Sequence, residues 1–226
     1  MNLAAWLLSA AVTMAPPGQT AFSVTPAADC QGAATCEGAK RSSFYGTWVR
    51  QETAAEGRAR YEIITRELAE EAEAQAVKPW TARSLAAMGL GVAIIESGLR
   101  EDVQVGRGWA KKASDDGGMG RGPGMEASFP QIHPSVASAF LDPGEKLEDL
   151  LGRDPAAVRK AWRTQLRMLI HARAYCFATV PSVREWDFAT ISLYGTGTSC
   201  GSVNGGKTRK RVNAFRSILS MPVKAS

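Results

Sequence analysis

The chain has 226 residues, a formal net charge of +5 and a hydrophobic content of 45%. This length fits one domain of ordinary size, and the composition excludes a chain too polar to bury a core. The positive charge favours an anionic partner, such as nucleic acid, anionic lipid or an acidic polymer, without selecting among them.

The first 15 residues, MNLAAWLLSAAVTMA, form a short apolar stretch that ends in small residues. The stretch is too short to span a membrane and has the length of the apolar region of a signal peptide. We therefore expect an exported protein, periplasmic or extracellular, although no Lys or Arg precedes Lys40 and Pro16 follows the expected cleavage point. A buried apolar N-terminal helix is the alternative.

The following residues, 16–42, are rich in Pro, Gly, Ala, Ser and Thr, a composition typical of a linker. This predicts a leader and linker over residues 1–42 and a folded domain over residues 43–226.

The chain contains four cysteines, Cys30, Cys36, Cys176 and Cys200. An even number in an exported protein predicts two disulfides, for which three connectivities are possible. The sequence-local pairs 30–36 and 176–200 are the simplest, and four reduced thiols in a cytosolic protein are the alternative. There is no CxxC pair, and His133 and His171 are distant from each other and from the cysteines, so we expect no metal site and no cofactor.

Helical periodicity dominates the first half of the domain. Residues 53–77 place apolar side chains at helical spacing, and Pro79 is expected to end this helix. Thr81 is a suitable N-cap for the next helix, which is apolar nearly all round from Leu85 to Ile95. Such a pattern is typical of a helix buried on all sides.

The second half begins with a Gly-rich segment, residues 101–128, which contains seven glycines and is of a length usually associated with function or disorder. Asp154 and Pro155 predict the start of a long helix that runs to Cys176. Shorter helices are expected after Pro134 and over residues 185–193 and 207–219. Since no alternating strand pattern occurs, the fold class is predicted to be mainly α.

The sequence AIIESGL, residues 93–99, ends the apolar helix with a carboxylate, Glu96. Gly98 is the expected C-cap by residue type, which places Glu96 in the last turn, where the helix dipole disfavours negative charge. With partial burial, this placement predicts a raised pKa for Glu96, as a general acid requires, and predicts that Glu96→Gln leaves folding intact. A glutamate that surfaces at a helix end is the alternative.

Two further patterns receive a structural interpretation. GSVNGGKT, residues 201–208, satisfies the phosphate-binding P-loop pattern, but no βαβ pattern precedes it and only 18 residues follow. The basic cluster that overlaps its end lacks interleaved aromatic residues, so it is interpreted as a solvated helix face and no nucleic-acid partner is expected. This cluster consists of Lys207, Arg209, Lys210 and Arg211.

Three short motifs occur in a fixed order: ESG at 96–98, SFPQIHP at 128–134 and ISLYGTGTSC at 191–200. This order resembles the lysozyme-like transglycosylases, namely goose-type lysozymes and bacterial lytic transglycosylases with the SLT domain. The resemblance covers roughly residues 80–220. It implies a lysozyme-like helical domain in which the long Gly-rich loop lines a substrate cleft.

The resemblance also implies roles for particular residues. In that family the glutamate of the ES pair is the catalytic acid and base, which corresponds to Glu96, with Ser97 as its small companion. The family segment G-L-M-Q-I-x-P, which lines the sugar cleft, is similar to residues 128–134 and implies substrate contacts for Gln131 and Ile132.

The family segment A-Y-N-x-G, whose tyrosine lies near the catalytic carboxyl, is similar to Leu193–Gly197 and implies a place in the site for Tyr194. Two departures stand out, since Pro130 replaces the family's methionine and Gly195 replaces its asparagine. They affect substrate contacts more than the reaction.

The implied function is that of a monomeric lytic transglycosylase that cleaves the β-1,4 bond between N-acetylmuramic acid and N-acetylglucosamine in peptidoglycan, without an integral membrane segment in the mature chain. A single carboxylate suffices, because it can protonate the glycosidic oxygen and then act as a base on the muramoyl 6-hydroxyl. Three alternatives remain: a muramidase with Asp102, Asp115 or Asp116 as second carboxylate, a non-catalytic wall-binding protein, and a nucleic-acid-binding domain.

Overall fold

The computed structural model describes residues 2–18, 24–26, 40–41, 48–105, 126–180, 182, 184–197, 199–201 and 205–222. This part of the chain is mainly helical, which confirms the predicted fold class at that level. The helices are α1 (Leu3–Met14), α2 (Ala54–Gln75), α3 (Ala82–Ser97), α4 (Glu101–Gln104), α5 (Pro134–Ala137), a 3-10 helix (Leu147–Leu150), α6 (Pro155–Thr179), α7 (Trp186–Thr196) and α8 (Gly205–Ser220).

A small antiparallel sheet departs from the sequence analysis, which found no strand pattern. Its strands are β1 (Val24–Pro26), β2 (Lys40–Arg41) and β3 (Trp48–Gln51), in the order β1-β3-β2. Strands of two to four residues are too short to display an alternation of period two, so periodicity could not reveal them. Two of the strands come from the predicted linker, 16–42, most of which lies outside the described residues.

Both central helices begin with a side-chain N-cap, of which that of α3, Thr81, was predicted. At α2, Thr53 and Glu56 form a reciprocal capping box, in which the Glu56 backbone N–H donates to Thr53 Oγ1 at 3.2 Å. At α3, Thr81 and Ser84 do the same, with the Ser84 N–H donating to Thr81 Oγ1 at 3.1 Å. Each box satisfies backbone donors that the helix start leaves without partners.

Helix α3 lies at the centre of the fold, as its apolar pattern predicted, and contacts α1, α2, α6 and α8. The approach of α8 is close because α3 has a glycine at the crossing. A Cβ on Gly91 would lie 2.7 Å from the backbone N of Phe215 in α8. Phe215 lies in the second half of α8, and the C-terminal end of α3 contacts the first half through Glu96.

Helix α1 is packed into the core and does not extend away from the domain. Leu7, Ala10 and Ala11 are fully buried, and Trp6 Nε1 donates to the Met221 carbonyl at 3.2 Å. This arrangement corresponds to the alternative interpretation of the N-terminal stretch, whereas export stays a prediction. Within the described residues, no helix is both long enough and apolar enough to span a bilayer.

The end of α1 is tied to α2 by one buried hydrogen bond. Tyr61 donates its phenol hydrogen to the Ala15 carbonyl at 2.9 Å. Burial raises the pKa of Tyr61 to about 12, so the hydroxyl remains a donor throughout the neutral range.

Helix α6 supports the second half of the domain and starts as predicted, with Asp154 as N-cap and Pro155 at its first position. Trp162 at its centre is fully buried and donates Nε1–H to the Ile64 carbonyl of α2 at 2.8 Å. Near its end, Cys176 forms the predicted disulfide with Cys200, with a Cα–Cα distance of 5.6 Å. The predicted partners Cys30 and Cys36 lie outside the described residues.

Candidate functional site

A cavity of about 1200 Å³ lies between four helices and the segment that starts at Glu126. Its wall is formed by the C-terminal ends of α3 and α7, the start of α8 and part of α6. Three residues singled out in separate sequence motifs, Glu96, Gln131 and Tyr194, lie together on its wall. The other side chains on the wall that bear on its chemistry are Glu126, His133, Phe140, His171, Lys207 and Arg211.

Glu96 is held between two cations from α8. Its Oε2 lies 2.9 Å from Lys207 Nζ, and its Oε1 forms an ion pair with the Arg211 guanidinium. The side chains of Glu96 and Arg211 are each 7% exposed, whereas that of Lys207 is 59% exposed. The carboxylate therefore has one buried and one solvent-facing partner.

The helix geometry explains this cluster. Glu96 stands at the C-terminal end of α3 and Lys207 in the first turn of α8, and a helix dipole disfavours each charge at those ends. Their contact offsets both effects. Arg211 follows Lys207 by four residues and so lies on the same face of α8. The interpretation of the basic cluster as a solvated helix face is therefore wrong for Arg211, which is buried.

Gly195 leaves the space that Arg211 occupies. A Cβ at position 195 would overlap the Nη1 atom of Arg211. The space beside Gly195 in α7 is filled by a guanidinium from α8.

Tyr194 links α7 to the segment that carries Gln131. Its hydroxyl donates to the Pro130 carbonyl at 2.8 Å. Burial, together with the nearby negative charge of Glu96, raises the pKa of Tyr194 far above its usual range. Tyr194 therefore stays protonated and serves as a donor that positions the wall of the cavity.

Gln131 lies in a tight turn anchored in the core. Ala127 and Ile132 pair through two backbone hydrogen bonds, of 2.8 and 3.0 Å, and Phe129 between them packs on Trp162 with ring centroids 4.6 Å apart. The backbone of Gln131 has a φ of 56°, which is uncommon for a residue other than glycine. Strained backbone of this kind is found at ligand sites when the surrounding packing holds it in place.

The structure places Ser97 and Ile132 behind the wall of the cavity. Ser97 is 2% exposed, and its hydroxyl donates to the Ala93 carbonyl at 3.0 Å and accepts from the Leu99 N–H. Ile132 is fully buried in the core. Both support residues that line the cavity, so an effect of either on a ligand would be indirect.

Some candidates cannot be placed. Asp115 and Asp116, with most of the Gly-rich loop, lie outside the described residues, and the side chain of Asp102 in α4 is also outside them. Sequence reasoning missed a carboxylate that is on the cavity wall, Glu126. No local pattern marks Glu126, since it lies near the end of the Gly-rich segment, 101–128, which has no helical or strand period.

The remaining polar residues define what the site can do. In the part of the chain that the structure describes, no three His, Cys, Asp or Glu side chains converge as metal ligands would. His171 also lines the cavity, and its ring contacts Phe140 edge to face at a centroid distance of 5.4 Å. The wall of the cavity thus combines two carboxylates, two cations and aromatic surface.

Comparisons of the chain with protein-family models, with curated proteins and with solved structures returned no match. The resemblance to lysozyme-like transglycosylases therefore rests on the three motifs, and the function is inferred from the cavity.

Proposed function

We propose that the protein is a lytic transglycosylase of peptidoglycan, with Glu96 as its catalytic acid and base. The observation that carries the proposal is the meeting of Glu96, Gln131 and Tyr194, from three motifs far apart in sequence, on one cavity. Its volume of about 1200 Å³ is large for one small ligand and suits a segment of a glycan strand.

The chemistry assigned to Glu96 has two steps. Its proton passes to the glycosidic oxygen as the bond from that oxygen to the anomeric carbon of N-acetylmuramic acid breaks. The resulting carboxylate then accepts the proton of the 6-hydroxyl of the same sugar, whose oxygen bonds to the anomeric carbon and forms a 1,6-anhydro ring. No water molecule is consumed, so no second carboxylate is needed to activate one.

The ion pairs of Glu96 impose a condition on this mechanism. The acid step requires a proton on Glu96, but in the empty site its carboxylate contacts Lys207 and Arg211. Substrate binding must therefore move the carboxylate away from at least one of these cations. A non-catalytic wall-binding protein would need no such rearrangement. The experiment must therefore distinguish cleavage of the glycan from binding alone.

We predict that Glu96→Gln lowers the rate of cleavage by at least ~10²-fold, the lower end of the contribution of general acid–base catalysis. The measurement is mass spectrometry of the products from purified cell wall. The wild type should release 1,6-anhydromuramoyl ends, and glycan binding by the variant should survive. A variant with wild-type turnover, or a wild type that binds but yields no product, would remove the catalytic role of Glu96.

The same variant should also be less stable. Without the carboxylate, Arg211 becomes a buried cation without its partner, a loss that costs up to about 3–5 kcal/mol of unfolding free energy. This reverses the expectation from the helix end alone, because the charge on Glu96 is compensated. Activity must therefore be compared well below the melting temperature of the variant.

A second candidate function is a muramidase, favoured by one observation, the presence of Glu126 on the same cavity. A hydrolase needs a second carboxylate to position or activate water, and Glu126 could supply it. Reducing ends among the wild-type products, with their loss in Glu126→Gln, would support this candidate. If the wild type and Glu126→Gln both release 1,6-anhydro ends, the muramidase is excluded.

A further inference from the structure

The two cations beside Glu96 have a binding capacity that the acid–base proposal does not use. Lys207 and Arg211 hold a single carboxylate between them, one on each oxygen. Glu96 Oε1 and Arg211 Nε are both buried and, among the described residues, have no hydrogen-bond partner of good geometry. Since an unpaired buried donor is costly, a ligand that offers an acceptor to Arg211 would be favoured.

We propose that Lys207 and Arg211 bind a carboxylate of the substrate, which takes the place of Glu96 between them. This inference rests on the proposed function, because it specifies the substrate of the same site. The arrangement already holds one carboxylate, so its spacing suits another, and charge-assisted hydrogen bonds to guanidinium are among the strongest in proteins. Gly195 and Arg211 are both on the cavity wall, so a ligand can approach the guanidinium from the cavity.

The glycan has a carboxyl group of the right size in the lactyl substituent of N-acetylmuramic acid. This group is neutral while an amide bond joins it to the peptide stem, and anionic once the stem has been removed. It lies on the sugar whose glycosidic bond is to be cleaved, so it can enter the cavity together with that bond. The preferred substrate is therefore peptide-free glycan, and a reaction that hydrolyses the lactyl amide must precede cleavage.

The exchange of carboxylates would also prepare Glu96 for its acid step. Once displaced, Glu96 stands at the C-terminal end of α3 without its two cations and beside a bound anion. The exchange therefore supplies the rearrangement that the acid step requires, in which the Glu96 carboxyl group leaves the two cations.

The test compares ligands that differ in one charge. The full chain is titrated with N-acetylmuramic acid and with its lactyl methyl ester, and dissociation constants are measured by NMR at low and high salt. We expect the acid to bind about tenfold more tightly than the ester at low salt, with a smaller preference at high salt. Equal affinities for the two sugars, or binding of neither, would overturn the inference.

A third ligand separates the two sources of carboxylate. N-acetylmuramyl-L-alanyl-D-isoglutamine carries its carboxylate on the peptide, and its lactyl carboxyl is amidated. We expect it to bind as weakly as the methyl ester. Binding as tight as that of the free acid would assign the cations to the peptide stem and overturn the preference for peptide-free glycan.

Variants test which side chains are responsible. Arg211→Met should abolish the preference for the acid, and the exposed Lys207→Met, which should fold normally, should reduce it. Arg209→Met is the matched control. Arg209 is a cation of the same helix, but its guanidinium lies 5.6 Å from the centroid of the Phe188 ring, whereas the ion pairs of Glu96 are with Lys207 and Arg211. Loss of the preference in this control, or its full retention in Lys207→Met, would contradict the assignment.

Glu96→Gln gives the most specific signature. Removing the competing carboxylate should strengthen binding of the acid about tenfold and leave binding of the ester unchanged. An equal change for both ligands would show that Glu96 does not compete for the cations. If the protein prefers the acid but cleaves no cell wall, the proposed function is overturned and this inference stands. If it cleaves cell wall without preferring the acid, this inference is overturned and the proposed function stands.

Discussion

The contact between Gly195 and Arg211 shows how one missing side chain shapes the chemistry of the site. Gly195 lies in α7, where alanine would normally be more favourable than glycine. The Arg211 guanidinium fills the space next to it and from there reaches Glu96. The presence of glycine at 195 is thus a condition for the buried ion pair.

We predict that Gly195→Ala destabilises the protein by about 1–3 kcal/mol, as expected for a new methyl group in a filled site. Helix propensity alone predicts the opposite sign. The control is Gly206→Ala in α8, where a Cβ would meet no atom within 4 Å and the change should be neutral or slightly stabilising. Thermal unfolding measures both, and a Gly195→Ala variant at least as stable as the wild type would contradict the packing of Arg211.

At the scale of secondary structure, the crossing of α3 and α8 sets the distance between Glu96 and its cations. The two glycines of α3 differ in what faces them. Gly91 faces the backbone of Phe215, whereas Gly89 faces the end of the Leu166 side chain, 3.0 Å from where a Cβ would lie. A side chain can adjust, but a helix backbone must move as a whole.

Gly91→Ala should therefore push α8 away from α3, with a loss of about 1–3 kcal/mol or more in stability and a further loss of activity. Gly89→Ala, two residues away on the same helix, should cost less and leave the cluster around Glu96 in place. Denaturant unfolding and cleavage assays of the two variants measure the difference. Equal effects of the two substitutions would show that the crossing does not control the site.

The disulfide between Cys176 and Cys200 joins the end of α6 to the chain between α7 and α8. It closes a loop with a sequence separation of 24 residues. This loop contains α7, and with it Tyr194 and Gly195, so the bond restrains one wall of the cavity against another.

We predict that replacing both cysteines by alanine lowers the unfolding free energy by about 3 kcal/mol in the chain-entropy model. The double variant is preferable to chemical reduction, because a reductant acts on every disulfide of the chain. Non-reducing peptide mapping of the wild type checks that the bond forms. Free thiols at both positions in material from an oxidising compartment would refute the prediction.

At the scale of the whole molecule, the N-terminal helix α1 links the stability of the domain to the processing of the chain. Helix α1 buries Leu3, Trp6 and Leu7 against the domain, and its end is held by Tyr61. Full burial of a large apolar side chain contributes about 1.5–3 kcal/mol, so the helix contributes substantially to the core. A cleaved leader would take this contribution with it.

We predict that a chain without residues 1–15 is less stable than the full chain by at least ~3 kcal/mol, the contribution of one or two such side chains. The comparison is made by denaturant unfolding, and N-terminal sequencing of the exported protein shows which form is mature. An exported chain that retains residues 1–15 would agree with both the packing and the export prediction. A mature chain that starts at Pro16 with unchanged stability would contradict the role of α1 in the core.

Local sequence predicted most of the long helices, because their formation depends on interactions within a few residues. It did not predict α4, which lies in the segment that was expected to be a Gly-rich loop. Thr81 and Asp154 were predicted as N-caps, and both accept the expected backbone hydrogen bonds. The burial of α3 and the pairing of Cys176 with Cys200 were also predicted. The short strands were missed, because two to four residues carry too little periodic signal.

The surroundings of Glu96 were decided only by tertiary structure. Its position at the end of an apolar helix follows from the sequence, and that position alone suggested an uncompensated charge. The compensating cations are more than 100 residues away in the chain and reach Glu96 because α8 crosses α3 at Gly91 and Gly195 leaves room for Arg211. Such contacts depend on how helices pack in three dimensions, which no local pattern of residues encodes.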